Sequence, residues 1–133
     1  LSPSSAASDV YKRQMLDRAP QENGTLDYCH ENGIGFISFS PLAQGLLTDR
    51  YLNGIPSDSR MAKEHFLKHS ALTPELLEQL KQWNQEAGER GETLAEMALA
   101  WILQQKGVTS VLVGASSTAQ LEKNMKCIYA KAF

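Results

Sequence analysis

The sequence predicts a parallel α/β fold, and three observations carry the prediction. Helical and strand-like patterns follow one another along most of the chain. The two candidate strands are separated by helical crossovers, which makes them parallel. Two such strands would leave hydrophobic edges open, so the chain reads as a piece of a larger α/β barrel or doubly wound domain.

Each element has its own signal. Residues 1–14, LSPSSAASDVYKRQ, are small and polar with no apolar period, which predicts a frayed or disordered tail. SAASDVYKRQ also resembles a translated sequencing-adapter remnant, an origin that would put the natural start near Met15. The run LDYCHENGIGFISFS reads as the end of a helix, a turn at Asn32 and Gly33, and a buried strand through Phe36 and Ile37. A long segment follows, PLAQGLLTDRYLNGIPSDSRMAKEHFLKHSAL, too rich in Gly, Pro and Ser for one helix and of the length that usually carries function. Thr73 and Pro74 open a helix to about Arg90, with Leu76, Leu80, Trp83 and Ala87 along one stripe. Thr93 and Glu96 form a capping-box pattern ahead of Leu94, Met97, Ala98, Trp101 and Ile102, a helix with one buried face. After Lys106 and Gly107 comes VTSVLVG, a β-branched run of the kind buried on both faces of a sheet. Ser117 and Gln120 suggest a second capping box at the start of the last helix.

Composition narrows the function classes. The 133 residues are 42% hydrophobic and 21% charged, as in globular proteins. Thirteen Lys and Arg stand against fifteen Asp and Glu. That near-balance provides no strong field for nucleic acid or an anionic bilayer, and favours a small-molecule ligand. Cys29 and Cys127 are far apart, with no ligand spacing, which suggests reduced thiols and a cytoplasmic setting. No apolar stretch is long enough for a bilayer span, and there is no secretion-signal pattern.

Two places bring a strand end, a tight turn and polar groups together. Residues 39–45, FSPLAQG, directly follow the first strand, where sites of parallel α/β proteins form, although Pro41 and Gly45 also suit a plain turn. Gly114, Ala115, Ser116 and Ser117 join the second strand to a helix N-terminus. A glycine, free N–H groups and hydroxyls suit a phosphate there, and Ser117 suits an ordinary N-cap equally well. His30, His65 and His69 lack partners at metal-ligand spacing and read as surface residues. Trp83 and Trp101 read as core, and Glu86, Glu89, Arg90 and Glu92 as a solvated helix end. GxGxxG and Walker motifs are both absent.

At these two sites the chain resembles the aldo-keto reductase family. FISFSPLAQGLLTDRYLNGIPSDSR and SVLVGASSTAQLEKN look like the end of the seventh strand and the eighth strand with its helix, in a bacterial branch related to the potassium-channel β subunits. The resemblance runs from 15 to about 129 and implies the C-terminal part of a (β/α)8 TIM barrel, with its last two strands and their helices in a partial domain spanning 15–133. It implies NADPH/NADP as cofactor and a small-molecule carbonyl compound as substrate. Phe39 would stack on the nicotinamide. Ser40, Pro41, Leu42, Ala43 and Gln44 would line the pyrophosphate path. Arg50 stands in the place of a family lysine, and Arg60 would lie near the phosphates, with Gly54, Ile55 and Pro56 turning the chain back toward it. Gly114 and Ser116 would cradle the 2′-phosphate, while Gln120 and Asn124 would reach the adenine. Lys123 stands where the family usually has Glu, which removes a carboxylate expected at the adenine. The family's catalytic Asp, Tyr, Lys and His come from the first four strands, so this chain is expected to carry none of them. The resemblance thus implies either an NADPH-dependent reductase of aldehydes or ketones or, alternatively, a non-catalytic NADPH-binding redox sensor like the channel β subunits.

Overall fold

A computed structural model describes residues 15–59, 61–63 and 67–133, and the backbone of 8–12. Its elements in chain order are β1 (Ser8–Lys12), α1 (Ala19–Glu22), α2 (Thr25–Glu31), β2 (Gly35–Phe39), α3 (Pro74–Arg90), α4 (Leu94–Leu103), β3 (Val108–Val111) and α5 (Thr118–Met125), with short 3₁₀ turns between β2 and α3 and after α5. Among the described residues the sheet has three strands, where two were expected, in the order β1-β2-β3. All are parallel, β2 with β3 as the helical crossover between them predicts.

The first strand lies within the segment expected to be a disordered tail. Ser8 pairs with Gly35 and Lys12 with Phe39. Strand pairing satisfies backbone groups whatever the side chains are, so a stretch without apolar alternation can still be recruited to an open edge.

Local capping chemistry explains the helices. Thr73 Oγ1 accepts from Leu76 N at 3.1 Å, and the helix it starts closes on Gly91 at φ +78°. Thr93 Oγ1 accepts from Glu96 N at 3.2 Å while Glu96 Oε2 accepts from Thr93 N at 2.7 Å, the reciprocal box that the sequence predicts. That box also accounts for a carboxylate that is only 8% exposed. The helix it opens is enclosed beyond one face: Leu94, Met97, Ala98, Leu99, Ala100 and Ile102 are all buried. Trp83 and Trp101 are half-buried at the margin of the core, and Trp101 carries the Arg18 guanidinium 4.8 Å from its ring centroid.

The long segment after β2 is mostly packed rather than free. Leu46, Leu47, Tyr51, Met61 and Leu67 form one core with Leu80, Ala87, Leu94, Met97 and Ala98 of α3 and α4. A smaller cluster of Leu26, Cys29 and Phe36 fastens α2 to β2. By strand alternation Ile37 and Phe39 point to the opposite face, where they are only partly covered.

β3 departs most from expectation. Its residues are half-buried or exposed, and Leu112 and Val113 just beyond it are 52% and 38% exposed. A β-branched run records what a strand is able to bury, but neighbouring strands decide whether it is buried, and β3 is the edge of this sheet. Its register against β2 slips between Phe36 and Ile37, so Thr109 is the extra residue, and its Oγ1 accepts from Phe36 N at 3.0 Å. Gly107 leads into the strand at φ +94°, where an added Cβ would lie 3.1 Å from His30 Cβ and 3.3 Å from the Leu26 carbonyl. The left-handed φ favours glycine there, and a side chain would also press the Leu26 and His30 neighbours by a few tenths of an ångström.

Of the charges expected to be solvated at the end of α3, Glu86 and Glu89 are exposed, whereas Arg90 and Glu92 form a clasp. Arg90 pairs with Glu92 at 3.1 Å with both side chains largely covered, and it donates to the Lys131 carbonyl at 2.6 Å. Its guanidinium lies 4.0 Å from the Phe133 ring centroid.

Candidate functional site

A cleft of about 710 Å³ opens between the chain leaving β2 and the chain leaving β3, at the C-terminal ends of both strands. One wall is Ser40, Pro41, Leu42, Gln44 and Gly45, and the opposite wall is Leu112, Val113, Gly114, Ala115, Ser116 and Gln120. Thr48, Arg50, Tyr51 and Asp58 of the long segment complete it. The volume falls within the roughly 300–1,000 Å³ typical of small-molecule and cofactor sites.

The first wall is a strained turn. Ser40, Ala43 and Gln44 have φ of 51°, 50° and 58°, left-handed values that cost non-glycine residues of order 1–3 kcal/mol each. Buried neighbours hold the turn in place: Pro41, Ala43, Leu46 and Leu47 are all enclosed, and Ala43 N donates to the Ser40 carbonyl at 3.1 Å. Strain of this kind collects where backbone groups are aimed at a ligand.

The second wall is a helix N-terminus. Ser117 Oγ accepts from Gln120 N at 3.2 Å, as predicted for an N-cap. The reciprocal bond is displaced by one residue, because Gln120 Oε1 accepts from Ser116 N at 2.7 Å and from Ser116 Oγ at 3.0 Å, not from Ser117 N. Gly114 is absent from the positive-φ glycines, and an added Cβ there would meet nothing within 4 Å. Neither backbone strain nor packing within the chain requires a glycine at 114, unlike at 107.

Of the residues expected at a cofactor site, Ser40, Pro41, Leu42, Gln44, Arg50, Gly114, Ser116 and Gln120 meet around this one cleft. Ala43 faces a smaller hollow on the other side of the turn, lined also by Leu16, Asp17, Ser40, Gln44, Leu46 and Leu67. Phe39 stands at the end of β2, 39% exposed, on the face not covered by α2. Asn124 is not brought to the cleft. It lies in the last turn of α5, only 5% exposed, and its Nδ2 is buried with no hydrogen-bond partner. Arg60 falls outside the described residues. Glu122 and Lys123 are exposed on α5.

Sequence reasoning missed Asp58, whose Oδ2 lies 2.8 Å from Arg50 Nη2. The two are eight positions apart across an irregular turn containing Gly54 at φ +119°, so no regular helix or strand brings them together and the pattern gives no signal. Thr48 was legible in principle: it stands before Asp49 and Arg50, and its Oγ1 accepts from Arg50 N at 3.2 Å as a 3₁₀ N-cap. Among the described residues no group of three or more His, Cys, Asp or Glu is placed to hold a metal ion, and no helix is long and apolar enough to cross a membrane.

A polar, partly strained cleft at the C-terminal ends of parallel strands, closed on one side by a helix N-terminus, is the place where parallel α/β proteins commonly bind ligands. The particular kind is settled by comparison with known proteins: the model of the aldo/keto reductase family matches residues 6–131, and the chain belongs to that family. It is 49% identical over 119 residues to L-glyceraldehyde 3-phosphate reductase of Escherichia coli O157:H7, an alignment covering 86% of this chain and 34% of that protein. A probable voltage-gated potassium channel subunit beta of Arabidopsis thaliana is 38% identical over 117 residues, covering 86% of this chain and 36% of the relative. An NADH-specific methylglyoxal reductase of Escherichia coli (strain K12) is 36% identical over 118 residues, covering 88% of this chain and 35% of the relative. The chain thus spans about a third of the length of these curated relatives. A crystal structure of a thermostable aldo-keto reductase in complex with the inhibitor epalrestat matches with a TM-score of 0.64 at 23% identity, covering 95% of this chain and 35% of that one, which shows the fold.

Proposed function

We propose that this chain is the cofactor-binding C-terminal part of an NADPH-dependent aldo-keto reductase that reduces aldehydes or ketones to alcohols. The observation that carries the reading is that two stretches far apart in sequence, each a candidate ligand site (39–45 and 114–117), contribute Ser40, Pro41, Leu42, Gln44, Gly45, Gly114, Ala115 and Ser116 to one cleft. Bound there, NADPH would supply the hydride for carbonyl reduction. On this reading the acid–base Asp, Tyr, Lys and His implied by the family belong to the parent protein outside this chain, and the protein works in the cytoplasm.

The residues present suit a dinucleotide phosphate. Gly114 leaves open space where a side chain would otherwise stand, and Ser116 and Thr48 bring hydroxyls to the walls. Gln120 now occupies Ser116 N and Oγ, so a phosphate binding at Ser116 exchanges those bonds for charge-assisted ones about twice as strong. Arg60 keeps its assignment near the phosphates on the resemblance alone, as do Phe39 at the nicotinamide and Asn124 at the adenine. Preference for NADPH rests on the absence of a carboxylate at Gly114, Ser116 and Ser117, since NAD sites commonly place an acid on the ribose. Asp58, in the same cleft, opposes that preference, and one relative carries an NADH-specific name.

Calorimetric titration of the chain with NADP⁺ and NAD⁺ tests the reading. NADP⁺ should bind more tightly; tighter NAD⁺ binding would reverse the preference, and no binding of either would remove the cofactor from the cleft. The match to a channel β subunit supports a second reading, an NADPH-binding redox sensor without turnover. Carbonyl turnover by the complete parent protein would decide against it.

A further inference from the structure

The Arg50–Asp58 pair has a geometry that a stray surface contact lacks. Each member sits next to a buried anchor: Tyr51, 1% exposed, follows Arg50, and Ser59, also 1% exposed, follows Asp58. Arg50 is further fixed by the Thr48 cap on its own N–H, and Ser59 Oγ accepts from Ala62 N at 3.1 Å. Between the anchors the chain bulges outward through exposed Asn53, Gly54 and Ile55. The two charged side chains therefore meet across the neck of a tethered loop, at the rim of the cleft, with side-chain exposures of 44% and 79%.

Arg50 is the cation among the described residues lining this cleft, and its guanidinium pairs with Asp58 at 2.8 Å. We propose that Asp58 is a built-in competitor for the cofactor's phosphates: it holds Arg50 while the cleft is empty and must release it when a dinucleotide phosphate binds, so it sets affinity by acting through Arg50. The inference rests on the cofactor reading above. Because the pair is solvent-screened, the competition is weak enough to be displaced and strong enough to measure. Asp58 is a positioning residue here, one that touches Arg50 rather than the cofactor.

The test is a double-mutant cycle read by NADP⁺ titration of the 133-residue chain, with far-UV circular dichroism as a check on folding. Asp58→Asn keeps the side-chain shape at an exposed position and should tighten NADP⁺ binding roughly two- to fivefold, the reach of an exposed ion pair. The same substitution in an Arg50→Ala background should change the dissociation constant by less than about 1.5-fold, because the competitor then has nothing to withhold. Asp58→Asn should also make binding fall more steeply with added salt, since Arg50 becomes fully available to the ligand. Equal tightening with and without Arg50 would mean direct repulsion and overturn the proposal. Unchanged or weaker binding in Asp58→Asn would overturn it too, the latter by making the carboxylate a ligand contact. In each of those outcomes wild type binds NADP⁺ and the cofactor reading survives; a wild type that binds neither NADP⁺ nor NAD⁺ brings down both.

Discussion

Replacing Gly114 by valine separates a glycine kept for the fold from one kept for a ligand. The backbone at 114 is not in the left-handed region, and a Cβ there has no neighbour within 4 Å, so the folded chain accommodates a side chain without strain. Stability should stay within about ±0.5 kcal/mol, the range for substitutions away from packed or strained sites. The isopropyl group would nevertheless stand in the cleft beside Ser116. If a phosphate lies against this stretch of backbone, valine displaces it from at least one charge-assisted bond, worth about 1.5–3 kcal/mol. That is roughly a tenfold to hundredfold loss of NADP⁺ affinity. Urea denaturation gives the first quantity and calorimetric titration the second. A valine variant that binds as tightly as wild type would show that nothing approaches the backbone at 114. A fall of more than about 1 kcal/mol in stability would mean that the glycine serves the fold, contrary to the open space around it.

Three further outcomes follow from the same geometry. Gly107→Ala, at φ +94° and against the Leu26 carbonyl, should cost about 1–3 kcal/mol in urea denaturation, and an unchanged midpoint would refute the strain argument. Burial and then the Glu96 carboxylate push the Cys127 thiol up, so its neutral form is favoured in the folded state; this contribution to stability is present below the ordinary thiol pKa of about 8.5 and is lost as pH rises through the raised value. Iodoacetamide should therefore label Cys127 more slowly than a free thiol at pH 8.5, and labelling at the free rate would contradict the shift. The isolated chain with NADPH and a panel of aldehydes should show no turnover, and a rate comparable to an intact reductase would place the acid–base group within these residues.

How much of this was legible in the sequence depended on how local the physics is. The Thr93–Glu96 box and the Thr73–Pro74 start involve residues at most three apart, and both form as the spacing dictates. Residues 39–45 and 114–117 could each be singled out because a strand end followed by glycine, proline and hydroxyl residues suits a ligand, although the same residues equally suit a plain turn or an N-cap. That they face one another across one cleft depends on the parallel pairing of β2 with β3, a tertiary fact. The burial of β3 was misjudged because VTSVLVG encodes a capacity for burial and not the number of neighbours available. The strand at Ser8–Lys12 was missed because edge pairing uses backbone groups that carry no sequence signal. Asn124 was assigned to the adenine by resemblance alone; its burial, at 5% exposed in α5, is set by tertiary packing that the sequence does not spell out.

The central claim is that residues 40–45 and 114–120 form the two sides of one dinucleotide site. Hydrogen–deuterium exchange of the chain with and without saturating NADP⁺ tests it most directly. Both segments should gain protection together, while the amides of α3 (Pro74–Arg90), which lies outside the cleft lining, should stay as they were. Protection confined to one segment, or none in either, would contradict the claim.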